Sequence, residues 1–218
     1  KRFYFSMVKT LFILLATLAF VPANAQAEKY LADIQKYNES SVFEDERYKG
    51  MTWQAFYALD EAQEFVDPMN FDYDLMNAAL LFAVNKYRTA RGASALAFEP
   101  RLRDAASIHT DQMVKKKFFA HENQYNSSLR ALNNRVEMCG FFGQHIAENI
   151  ARMFVDMNNP ETYTQVADKV ILYLSRSKEH NINMLDKRNT LLGCSLLFDG
   201  TGNDGYFYFR TTHDFGVR

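Results

Sequence analysis

Cysteine is scarce. The 218 residues hold two, Cys139 and Cys194, and two cysteines alone do not make a zinc site. An excess of charge of one sign is missing too. Lys+Arg 25 against Asp+Glu 26 leaves a formal net charge of -1, so the global electrostatic footprint of a nucleic-acid binder is absent and no nucleic-acid partner is expected. The run Lys115-Lys116-Lys117 reads as a solvated helix face. After the first 25 residues no stretch is apolar enough to span a bilayer. There is no H-E-x-x-H to fix two metal ligands on one helix. There is no G-x-S-x-G elbow, so a serine hydrolase is poorly supported. No internal repeat occurs.

What the chain does have is apolar material. Hydrophobic residues are 48% and aromatics 15%, enough for a packed core and against disorder along the whole chain. The length suggests one domain plus extensions.

Residues 1–25 differ from the rest. Lys1, Arg2 and Lys9 supply positive charge, TLFILLATLAFV is a short apolar run, and Ala23-Asn24-Ala25 is a small-x-small site. These are the three parts of a secretory signal peptide, with cleavage expected between Ala25 and Gln26. No cysteine follows the site, so a lipoprotein anchor is not indicated. The mature chain is expected to be a monomer without a transmembrane segment, secreted or periplasmic. In an oxidising compartment Cys139 and Cys194 could form a disulfide; two buried free thiols are the alternative.

Residues 26–70 read as a helical extension. AEKYLADIQKYN (27–38) and MTWQAFYALDEAQEFV (51–66) repeat apolar residues at spacings of three and four. Asp67-Pro68 ends the second helix. Trp53, Phe56 and Tyr57 are placed to dock the extension on the main domain. That domain, residues 71–218, opens with the helix DLMNAALLFAVNKYRTARG, with Gly92 as its carboxy-terminal cap. The loop ASALAFEP leads to a second helix, RLRDAASIHTDQMVKKK. A short helix follows around 129–136, IAENIAR is a short buried strand, and 160–177 is helical. LLGCSLLF and YFYFRTTHDFG pair as a hairpin across DGTGNDG. Helices first and strands late, without βαβ alternation, give an α+β layered domain.

Three patterns set an ionisable side chain at the edge of an apolar element: FFAHEN with His121, IAENIAR with Glu148, and SRSKEHNINML with His180. Two histidines and a carboxylate are the ligand types of a catalytic zinc site with an open position for water. The same trio could work without metal, with Glu148 as general base and a histidine as general acid. Three separate structural residues remain the alternative. His145 and Glu148 would point to opposite faces of a strand. His109 reads as a helix-face histidine.

The order of motifs resembles the CAP superfamily of cysteine-rich secretory, antigen 5 and plant pathogenesis-related proteins, in its bacterial extracellular branch. The motifs are VNKYRTARG (84–92), FFAH (118–121), RVEMCG (135–140), AENIA (147–151), LSRSKEHNINML (174–185), LLGC (191–194) and YFYFRTTHDFG (206–216). Together they cover about residues 73–218. The resemblance implies a three-layer α-β-α sandwich with a central antiparallel sheet. It implies a cleft where His121, Glu148 and His180 converge, lined also by Asn149, Ser177, Glu179 and His213. Asn149 would point away from Glu148 into a backbone hydrogen-bonding role. A divalent metal such as zinc is the implied cofactor, although the second acidic position of the animal and plant tetrad falls at Ser177. His213 stands where glutamine is usual, either as an extra cleft ligand or as a surface residue. The family has no single activity. The expected function is an exported binding or effector module for a metal, lipid or envelope ligand. The alternative is a hydrolase of envelope or extracellular polymers in which His121, Glu148 and His180 activate water. In that case Glu148→Gln would keep the fold and abolish turnover.

Overall fold

The computed structural model describes residues 23–37 and 48–218. The apolar run of the expected signal peptide lies outside the described residues. The chain enters at helix α1 (Ala23–Ile34), prolonged by a 3-10 turn over Gln35–Tyr37. The expected helix over 51–66 is much shorter. Helix α2 covers Trp53–Tyr57, and Glu61–Gln63 form a separate 3-10 turn. Its far end is drawn into extended pairing instead: Phe65 bridges Thr162, and Val66 N donates to Glu161 O. Phe56 is fully buried and stacks on Phe82 at 4.5 Å. The Tyr57 hydroxyl donates to Asp168 at 2.8 Å. Residues 48–66 therefore share one core with the helices that follow.

Helix α3 (Tyr73–Thr89) starts where the Asp72 side chain accepts from Leu75 N. This satisfies one of the orphan donors of a first turn. It is buried on nearly all sides between residues 74 and 85. The chain turns away at Gly92, whose φ of +73 suits a residue without Cβ. Strand β1 (Ala97–Phe98), helix α4 (Pro100–Lys115) and helix α5 (Leu132–Met138) follow. Then come strand β2 (His145–Asp156), helix α6 (Tyr163–Ser175) and helix α7 (Lys178–Leu185). Strands β3 (Leu191–Asn203) and β4 (Tyr206–Val217) complete the domain. Their hairpin closes in two residues, Asp204 and Gly205, both at positive φ. That geometry matches the twist of the strands it joins. It is tighter than the turn expected over 199–205, because β3 resumes pairing at Gly202 after a bulge.

The sheet order is β1-β3-β4-β2. The three long strands are antiparallel, but β1 runs parallel to β3, so the sheet is mixed rather than wholly antiparallel. Helices α3, α6 and α7 cover one face, and α4, α5 and α1 lie on the other. The layers meet closely at Gly193. A Cβ there would come within 1.9 Å of Arg103 N, so only glycine lets β3 approach the backbone of α4.

Candidate functional site

Side chains alternate along β2, and this alternation separates the site into two halves. Ile146, Glu148 and Ile150 face the α4–α5 layer, while Ala147, Asn149 and Ala151 face α3, α6 and α7. Glu148 is buried, and both its oxygens are engaged. Oε1 is 2.8 Å from His121 Nδ1, and Oε2 accepts from a guanidinium nitrogen of Arg135 at 2.6 Å. Arg135, fully buried on α5, also donates to the carbonyls of His121, Leu129 and Arg130. One side chain thus ties the loop that carries His121 to the central strand. His109 on α4 completes the wall. Its Nε2 donates to Ala120 O at 3.0 Å and lies 3.9 Å from Glu148 Oε2.

The electrostatics follow from burial and neighbours. Burial works against the Glu148 charge. The His121 hydrogen bond and the charges around it, Arg135 among them, outweigh that and hold the carboxyl below its usual range. His109 is pushed down to about 4, chiefly by burial, so it is neutral at pH 7. Asp214 sits directly across from Glu148 on β4 and is fully buried. Burial first, then the Glu148 charge, raise its carboxyl well above the ordinary value. Among the described residues, neither Asp214 oxygen has a hydrogen-bond partner within normal distance. Two carboxyls facing each other across a strand pair do not both ionise readily. Glu148, beside the guanidinium, is the one that does.

On the opposite face, Asn149 donates to His180 O at 3.0 Å and accepts from Asn183 at 2.9 Å. Asn149 therefore anchors α7, the helix that carries His180. The His180 ring is half-buried, and burial, then the neighbouring His121 imidazole, lower its pKa. Direct contact joins His121 to Glu148. His180 is connected to them electrostatically and through the backbone that Asn149 holds.

The remaining expected cleft residues have other places. Ser177 caps α7 by accepting from His180 N and donates to Glu179, which is exposed. His213 is neither a surface residue nor on the Glu148 face. Alternation along β4 turns it inward, fully buried, with Nδ1 3.6 Å from Cys194 Sγ. Cys139 and Cys194 are both free, so of the two arrangements left open by the sequence this structure has the free thiols. Cys139 ends α5 among residues of the α4 layer, whereas Cys194 lies in the core beneath α3 and α6. The sheet stands between them. Burial pushes both thiols up, so neither is a ready thiolate.

Sequence reasoning missed Arg135, His109 and Asp214 as site members. Arg135 carried a signal, since it opens the RVEMCG motif. Asp214 could have been found only from the register that sets it against Glu148.

Among the described residues, no three His, Cys, Asp or Glu side chains are grouped to hold a metal ion. Arg135 already occupies one Glu148 oxygen and brings a positive charge where a cation would sit. In this arrangement the residues do not fit a divalent metal.

A mixed sheet between two helical layers, with a buried Glu–Arg pair behind an exposed histidine, defines an α+β sandwich domain with a polar site at its surface. The chain belongs to the cysteine-rich secretory protein (CAP) family, whose family model matches residues 81–210. No curated protein matches. Among solved structures, the chain resembles an extracellular SCP-domain protein from Bacillus anthracis at 20% identity and a TM-score of 0.51. The match covers 67% of this chain and 42% of that one, so the chain spans about two fifths of that protein's length. It also resembles an outer surface protein from Borrelia burgdorferi at 13% identity and a TM-score of 0.50, over 72% of this chain and 98% of that one. These likenesses show the fold.

Proposed function

We propose that the protein is an extracytoplasmic binding module that takes a polar ligand of the cell envelope at His121. The observation that carries this reading is the His121–Glu148 pair. The carboxylate accepts from Nδ1, which leaves Nε2 as the imidazole's hydrogen-bond acceptor. The side chain is 56% exposed. A ligand hydroxyl or N–H could therefore donate to a ring whose tautomer and angle are already set. Arg135 holds the carboxylate, and the carboxylate holds the histidine, so little order is lost on binding. The expectation of export accords with structural neighbours described as extracellular or outer-surface proteins. No helix among the described residues is long and apolar enough to cross a membrane.

The same pair supports a second reading, a hydrolase of envelope polymers. His121 Nε2 would take a proton from a water attacking the scissile bond and return it to the leaving group. Incubation with purified, dye-labelled peptidoglycan separates the two. Binding without dye release, weakened about tenfold in His121→Ala, supports the module; one lost hydrogen bond is worth about that factor. Dye release that His121→Ala abolishes supports the hydrolase. Retention of wild-type binding by His121→Ala sinks the binding reading. Zinc titration by calorimetry is expected to show no stoichiometric binding.

A further inference from the structure

Beyond Ile150 the α4-side face of β2 and β4 changes character. Met113 and Phe118 pack on Ile150, and past it the strands carry exposed rings. Phe154, Tyr206 and Tyr208 are 42%, 38% and 36% exposed. Phe154 meets Tyr206 edge-to-face at 5.1 Å and Tyr208 at 5.8 Å. The Arg152 guanidinium lies 5.2 Å from the Tyr208 ring centre. Lys169 and Tyr173 reach around the free edge of β2 from α6. Arg152, Met153, Phe154, Lys169, Tyr173 and Tyr208 line a cavity of about 460 Å³, with Tyr206 packed beside it on Phe154, within the range of small-ligand pockets. Phe154 and Glu148 are six residues apart on one strand, about 20 Å. This is a separate site from the one at His121.

We propose that this surface is a binding platform for an acidic saccharide. The rings brace one another edge-to-face with more than half of each covered, so each is held in place and still presents part of its own flat face. A wedge for insertion into a membrane would project further, as Phe142 does at 78% exposure. A flat, electron-rich ring face suits the polarised C–H face of a sugar. Arg152 supplies the charge complement. It shares the single carboxylate of Asp199 with Arg210, so donors remain for a ligand carboxylate. An extended peptide added to the β2 edge is disfavoured, because Lys169 already donates to the Phe154 carbonyl.

The test uses the full mature chain and two probes, tetragalacturonate and cellotetraose, followed by calorimetry and amide chemical shifts. The wild type is expected to bind the acidic probe at least tenfold more tightly than the neutral one, with shifts centred on residues 152–154 and 206–208. Tyr208→Leu keeps an apolar side chain at a surface position and is expected to weaken binding at least tenfold while unfolding at the wild-type temperature. Arg152→Gln is expected to erase the preference for the acidic probe. His121→Ala alters only the first site, so failure of either reading shows independently. The proposal is overturned by unchanged binding in Tyr208→Leu, by equal affinity for both probes, or by the absence of any shift. Binding to phosphatidylglycerol vesicles with the saccharides silent would also overturn it.

Discussion

Replacing Glu148 by glutamine should cost the protein stability as well as function. The exchange is still expected to keep the fold, but the environment of this residue attaches a stability cost to it. Glu148 neutralises Arg135, which is fully buried and bonds to it at 2.6 Å. Removing one partner of a buried ion pair costs about 3–5 kcal/mol, because the other charge stays behind. Glutamine keeps an oxygen that can accept from Arg135, and Arg135 keeps its three carbonyl partners. The cost should fall at the low end, about 3 kcal/mol. Against a domain stability of about 5–15 kcal/mol the variant still folds. With a urea slope of about 2 kcal/mol per molar, its midpoint drops by about 1.5 M. Arg135→Met should be at least as damaging at pH 7, because it strands the Glu148 charge beside Asp214. Its deficit should shrink on acidification, as Glu148 takes up a proton that replaces the lost guanidinium. In the double variant neither charge is stranded, so its cost should fall about 2–3 kcal/mol short of the sum of the singles. The assay is urea unfolding of the four proteins at pH 7, repeated at pH 5. Additivity within about 0.5 kcal/mol would refute the coupling on which this account of the site rests.

Three further outcomes are expected. His213 is buried and its pKa is pushed down to about 3. The unfolded state therefore gains a proton that the fold refuses as pH falls below about 6.5, and stability is lost in that direction; His213→Gln should gain about 2 kcal/mol relative to wild type between pH 7 and pH 5, read by urea midpoints. Gly193→Ala should cost about 3 kcal/mol or more and lower the melting temperature by roughly 10 °C, since its Cβ would meet the α4 backbone rather than a movable side chain. Phe56→Ala should cost about 3–5 kcal/mol in urea unfolding; a loss below about 1 kcal/mol would mean that α2 is not part of the common core.

Much of the fold was legible because periodicity survives as local information. The apolar spacing of α3, the capping glycine beyond it and the β-rich ends of the chain each bias the backbone before any packing occurs. The helix expected over 51–66 failed for a tertiary reason: Phe65 and Val66 pair with residues 161 and 162, and that bonding overrides the local helical pattern. The placing of His213, and the choice between a disulfide and free thiols for the cysteines, lay beyond the sequence for a related reason. Sequence proximity to a motif does not say which face of a strand a side chain takes, and the sheet places Cys139 and Cys194 on opposite sides.

By itself the sequence determined the layered α+β architecture, the family, and the prominence of His121, Glu148 and Asn149, because these depend on residue order and on the two-residue period of a strand. Only the tertiary structure decided what Glu148 does. Its partners come from four other segments, at His109, His121, Arg135 and Asp214, and no spacing in the chain encodes their meeting. Burial then turns that meeting into chemistry, since a carboxylate removed from water must find its compensation in whichever guanidinium and imidazole the fold brings beside it.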